Sequence, residues 1–210
     1  MKPRQSGLTL LELLVVIAVM VVLAALLLPT GGPRRAKLLR CISNLRQLDV
    51  QFVLYASDNH GDFPMQVSVA NGGTLEFLYS GYTFPHFEKL RSYGLQTNIL
   101  ICPFETNRQA AASLEALNDL ALSYFVNVDA STNDPAKTIL LGDRFLQLNG
   151  QQVGHGIFAV TTNQNLSWCS DFHARGGGFA FTDGHVEFVR EKLSSILAFQ
   201  PSPTNRFSIP

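Results

Sequence analysis

The apolar positions of this chain change their spacing twice, and each spacing predicts a different element. From Leu8 to Leu28 the chain is apolar almost without a break, interrupted only by Thr9 and one acid, Glu12. A continuous run of this kind predicts a helix that is apolar on every side. Its 21 residues reach roughly 30 Å at about 1.5 Å each, the thickness of a bilayer core. Beyond Gly31-Gly32-Pro33 the apolar residues recur in steps of three and four, at Leu38, Cys41, Leu45, Leu48, Phe52 and Tyr55. That spacing is one stripe of an amphipathic helix. Ser57-Asp58-Asn59-His60-Gly61 and then Pro64 stop it. We therefore expect one long helix that starts in the apolar run, loosens between Pro29 and Pro33, and continues to about Ala56.

Past Pro64 the pattern is shorter-ranged. Residues 86–93 and 107–119 read as short helices, the first stopped by Gly94. Residues 121–128, 137–142 and 156–161 read as strands, with Asn133-Asp134-Pro135 as a turn between the first two. Near the C-terminus Phe179-Ala180-Phe181-Thr182 and His185-Val186-Glu187-Phe188 flank Asp183-Gly184. This predicts a two-residue hairpin with both turn residues at positive φ. Phe181 would then face Val186 and Phe179 would face Phe188, with Thr182, His185 and Glu187 on the other side. The fold class expected is α+β, a long N-terminal helix packed against a mainly antiparallel sheet.

Glu12 sharpens the reading of the apolar run. A carboxylate in such a span costs free energy unless something pairs with it. A secretory signal peptide has a shorter apolar core and a small-residue cleavage site. Here the run ends in Leu26-Leu27-Leu28-Pro29. A plain membrane anchor has no need of Glu12 or of the Gly7 junction.

Gly7-Leu8-Thr9-Leu10-Leu11-Glu12, behind a leader carrying Lys2 and Arg4, resembles the prepilin cleavage motif of type IV pilins and type II secretion pseudopilins. The resemblance implies cleavage after Gly7 by a prepilin peptidase and methylation of the new amine of Leu8. It also implies that Glu12 faces that amine on a neighbouring subunit. Leu8 stands where Phe is usual in the family. Pro29 matches a helix-loosening proline there. Leu54-Tyr55-Ala56-Ser57-Asp58-Asn59-His60-Gly61-Asp62-Phe63-Pro64 is similar to a segment of major pseudopilins. The divisions implied are a leader over 1–7, a membrane and assembly helix over 8–30, and an exported head over 31–210. The implied partners are like subunits, the peptidase and the bacterial inner membrane.

Charge agrees in part. Residues 1–47 carry seven Lys/Arg and one Glu, net +6, and residues 48–210 carry nine Lys/Arg and fifteen Asp/Glu, net −6. An acidic head does not fit a nucleic-acid partner. Arg34, Arg35, Lys37, Arg40 and Arg46 follow the apolar run and by the positive-inside rule favour a cytoplasmic head. The more specific Gly-to-Glu motif argues for the opposite orientation. The basic residues then meet lipid headgroups, acids on neighbours, or water.

The remaining candidate chemistry is thin. Cys41, Cys102 and Cys169 show no C-x-x-C spacing. In an exported head two of them can pair in three ways. Cys41 with Cys102 is the pairing favoured, because Cys41 lies on the stripe facing the head and Cys102-Pro103 reads as a turn beside it. His155, Asp171, His173, Asp183 and His185 are metal-capable and fall within about thirty residues, in no helix-borne zinc spacing. A membrane-tethered enzyme or metal-binding module built on them is the rival function. Asp58, Asn59 and Asp62 suit a helix end and turn better than a Ca²⁺ site. His173, a nine-residue gap and Asp183-Gly184 resemble a signature of one large group of pilin-like proteins. Cys41 with Asn44-Leu45-Arg46-Gln47-Leu48, and Cys102-Pro103, resemble further pieces of it. That resemblance implies no catalytic role, and we expect no cofactor and no enzymatic activity.

Overall fold

The computed structural model describes residues 9–27, 32–169, 176–190, 193–197 and 200–210. The chain divides into two compact units, residues 1–36 and 37–210. The first holds helix α1, Leu10–Leu27, whose 18 residues are apolar except for Glu12. Those residues rise about 27 Å. Among the described residues no helix is long and apolar enough to cross a membrane.

Helix α2, Pro33–Asp58, supplies the spine of the second unit. Its buried face is the stripe expected from the spacing: Cys41, Leu45, Leu48, Phe52 and Tyr55 are all at most 4% exposed, with Leu38 half-buried at its start. The helix ends where the polar cluster falls. His60 and Gly61 turn left-handed, at φ 59° and 91°, and the Gly61 amide returns to the Ala56 carbonyl at 2.8 Å. Asn59 Nδ2 donates to the Tyr55 carbonyl. This is the capped helix end predicted for these residues.

Between α2 and the first strand the backbone is irregular. It contains a short helix α3, Phe84–Glu88, and single 3-10 turns such as Lys89–Tyr93, ended by Gly94 at φ 83°. The helix expected over 107–119 is reduced to a 3-10 turn at Leu114–Ala116, with a second at Asp119–Ala121. Arg108 is bonded within this segment and beyond it. Its guanidinium donates to the carbonyls of Asp119, Leu122 and Pro210, at 2.5–2.9 Å, and draws the segment onto the sheet.

Among the described residues nine strands follow: β1 Tyr124–Asn127, β2 Ile139–Asp143, β3 Leu146–Leu148, β4 Gln151–Gln152, β5 Gly156–Thr161, β6 Leu166–Trp168, β7 Gly176–Phe181, β8 Val186–Arg190 and β9 Thr204–Ile209. Six form an antiparallel sheet in the order β5-β9-β1-β2-β7-β8, and β4-β3-β6 form a smaller one. Strand neighbours in the large sheet alternate between two cores. Tyr124, Val126 and Ala180 join the α2 stripe in one core. Phe125, Phe179, Phe181 and Phe207 join Leu146, Leu166 and Trp168 in the other. The α+β class holds, and the large sheet is covered on both faces.

Helix α2 approaches β7 closely at one point. A Cβ on Gly178 would stand 2.3 Å from Leu45 Cδ1, so only glycine lets the helix settle there.

The C-terminal hairpin forms, but its turn and register differ from the expectation. The Gly184 amide donates to the Phe181 carbonyl at 2.9 Å and the Phe181 amide to the His185 carbonyl at 3.0 Å. Gly184 has φ 87°, and Asp183 is not among the positive-φ residues. This is a three-residue loop with a glycine bulge rather than a two-residue turn with two left-handed residues. The extra residue shifts the pairing by one. Ala180 faces Val186, Phe179 faces Glu187 and Gly178 faces Phe188. His185 therefore sits against Phe181, their rings stacked at 4.2 Å, instead of on the opposite side.

Candidate functional site

Glu12 lies one turn into α1, and its partners are local. Glu12 Oε2 accepts from the Thr9 amide at 2.8 Å and from Thr9 Oγ1 at 2.9 Å. The Glu12 amide returns a bond to Thr9 Oγ1 at 3.3 Å. Thr9 is the N-cap and Glu12 the third helical residue, which makes a capping box. The T-x-x-E spacing that signals it is present in the sequence, at Thr9-Leu10-Leu11-Glu12. Both side chains are exposed in the isolated chain, so the carboxylate is held in position and still open to a further partner. Gly7 and Leu8 lie outside the described residues.

The second constellation sits where α2 meets the head. The sulfurs of Cys41 and Cys102 are 3.0 Å apart, at 2% and 0% exposure. None of the three cysteines is in a disulfide in this structure. Asp143, at the end of β2, brings its carboxylate oxygens to 3.5 and 3.7 Å from Cys41 Sγ, and its Oδ2 accepts from the Gly178 amide at 2.7 Å. Tyr124 Oη is 3.8 Å from the same sulfur. Contact with Cys102, burial and the nearby Asp143 carboxylate all push the Cys41 thiol far up, so it is protonated. Cys41, Cys102 and Asp143 are a metal-capable triplet among the described residues, with ligand atoms within 4.8 Å of one another. Sequence reasoning found the two cysteines. It missed Asp143, which carries no spacing signal and arrives only through the β2–β7 pairing.

The five metal-capable residues near the C-terminus do not assemble as one site. Asp171 and His173 lie outside the described residues. His155 Nε2 meets Asp119 Oδ2 at 2.7 Å, just before edge strand β5. Asp183 Oδ1 accepts from the His185 amide at 3.1 Å and contacts His185 Nδ1 at 2.5 Å, in the turn before the opposite edge strand, β8. The full width of the sheet separates the two pairs. Asp58, Asn59 and Asp62 border a cleft of about 630 Å³ with His60, Gln66 and Asn71. There Asn59 caps α2 and Asp58 accepts from Tyr93 Oη at 3.0 Å.

One acid inside the α2 stripe had no sequence signal. Asp49 is fully buried, and neither carboxylate oxygen has a hydrogen-bond partner. A Cβ on Gly184 would lie 3.6 Å from Asp49 Oδ2, so the hairpin turn rests on this carboxyl. Burial, and then the charge of Asp183, push Asp49 up to about 7. His86 is the complementary case: burial pushes it down to about 4, and its Nδ1 meets Thr74 Oγ1 at 2.8 Å.

Residues 2–28 match the prokaryotic N-terminal methylation motif. No curated protein and no solved structure matches the chain. The chain thus carries a prepilin-type N-terminal signal, of the kind processed in type IV pilins and pseudopilins, ahead of an α+β head with a pilin-like order of helix and sheet.

Proposed function

We propose that this chain is a structural subunit, a pilin or pseudopilin, of a type IV pilus or type II secretion filament. The observation that carries the reading is the methylation motif over residues 2–28, with Glu12 set at the first turn of α1. The apolar run Leu8–Leu28 holds the precursor in the inner membrane with the head outside the cytoplasm. A prepilin peptidase cuts after Gly7 and methylates Leu8. The helix then leaves lipid for a bundle of like helices, a nearly neutral exchange for its apolar residues. Registration rests on Glu12, whose charge is best satisfied by the N-terminal amine of a neighbour. The capping box supports this role by pointing the carboxylate before any neighbour arrives.

Mass spectrometry of the membrane-extracted protein tests the reading. The expected mature chain begins at Leu8 with a methylated amine. A mature chain beginning near residue 30, or an uncut Met1 in a host with an active prepilin peptidase, would refute it.

A further inference from the structure

We propose that Cys41 and Cys102 form a structural disulfide that ties α2 to the irregular segment of the head. This rests on the exported location proposed above, since such bonds persist in oxidising compartments.

The geometry is nearly that of the bonded pair. The sulfurs are 3.0 Å apart, about 1 Å beyond an S–S bond of about 2.04 Å. Both side chains belong to the core between α2 and the large sheet. Cys169 follows β6 of the small sheet, and its Sγ donates to the Leu146 carbonyl at 3.7 Å.

The location explains why a covalent tie has an effect here. Cys41 and Cys102 are 61 residues apart, and from the end of α2 to Leu122 that stretch and its continuation contain no strand among the described residues. Their order depends on side-chain packing and single turns rather than on ladders. Closing a loop of this length removes a large share of the unfolded chain's freedom. The bond also fixes the early part of α2 to the head.

Formation requires an oxidant, which we identify by class as the disulfide of an exported thiol oxidoreductase. One thiolate attacks that disulfide and forms a mixed disulfide. The second thiolate attacks the protein sulfur and expels the oxidant's thiol. Two S–H bonds and the external S–S bond are lost, and the Cys41–Cys102 bond and two external S–H bonds are gained. Burial of both sulfurs places this exchange before the head closes.

The test uses the full-length chain extracted from host membranes in alkylating reagent without reductant. The expected digest contains a peptide pair joined through Cys41 and Cys102, two hydrogens lighter than its reduced form. The melting temperature of the head should fall by roughly 5–15 °C on reduction, or in Cys102→Ser, and should not change in Cys169→Ser. If the serine variant does not fold, the peptide masses of the wild type decide alone. Alkylation of both cysteines in cells, together with failure to join when the purified chain is unfolded and refolded with excess oxidised glutathione, overturns the bridge. So does one equivalent of zinc retained by Cys41, Cys102 and Asp143. Reduced cysteines in cells that do join on such refolding, with the rise in melting temperature, support the bridge and refute the exported location instead.

Discussion

Helices α1 and α2 are close in sequence and alike in backbone, yet they are stabilised from opposite directions. In α1 the exposures run from about 50% at Val16 to 81% at Leu10, on every side of the helix. In α2 one stripe is buried completely, with Leu45, Leu48 and Phe52 at 0%. Most helix stability in proteins comes from packing of an apolar face. For α2 that packing is internal to the head. On the function proposed above, for α1 it comes from lipid or from other copies. The comparison teaches that an apolar residue contributes to head stability only if the chain itself supplies its partners.

The strongest way to break that comparison is to truncate one leucine in each helix. Leu45→Ala should destabilise the head by about 2–5 kcal/mol, through lost contacts and the cavity left beside Gly178. Leu14→Ala should leave the head's thermal unfolding unchanged. Equal effects of the two substitutions, read by calorimetry, would sink the distinction.

A smaller effect tests the acid inside the α2 stripe. Asp49 is raised to about 7 in the folded head, against about 3.9 when unfolded. Between those values the folded state binds the extra proton. The contribution of Asp49 to stability is therefore greatest below about pH 4, declines as pH rises toward 7, and is flat above. Asp49→Asn should remove this slope and stabilise the head at pH 8 by up to about 4 kcal/mol. Denaturant melts across that range check it, and an unchanged slope in the variant would contradict the assignment.

The smallest effect sharpens the reading of α1. Thr9→Ala removes the cap and should cost helix α1 about 1 kcal/mol, with no change in head melting. Glu12→Gln keeps much of the capping geometry but removes the charge. If Glu12 acts only as a cap, Thr9→Ala should impair filament assembly at least as much as Glu12→Gln. If it pairs with a neighbour's amine, Glu12→Gln should be the more harmful. Filament yield from cells carrying each variant reads the difference.

Periodic features were legible along the chain. The 3.6 period gave the buried face of α2 because each apolar residue in the stripe meets the same core. Strand β5 was placed at its observed residues, and β1 and β2 within a few, because β-rich runs bounded by turn residues carry local signals. The hairpin was legible in existence but not in register. Asp-Gly suits both the two-residue turn and the glycine bulge, and the local sequence does not choose between them. The helix expected over 107–119 gives way to 3-10 turns, in a segment where Arg108 bonds the nearby carbonyls of Asp119 and Leu122 and the distant carbonyl of Pro210.

By itself the sequence determined the prepilin-type signal, the α+β class, the α2 stripe and the identity of two of the three cysteine-site residues. These depend on residue order and short-range spacing. Only the tertiary structure decided that Asp143 joins Cys41 and Cys102, that His155 and His185 belong to opposite edges, and that Asp49 is buried against the Gly184 turn. The physical reason is that strand order, strand register and helix-on-sheet contact join residues tens of positions apart. No local period records which of them will meet.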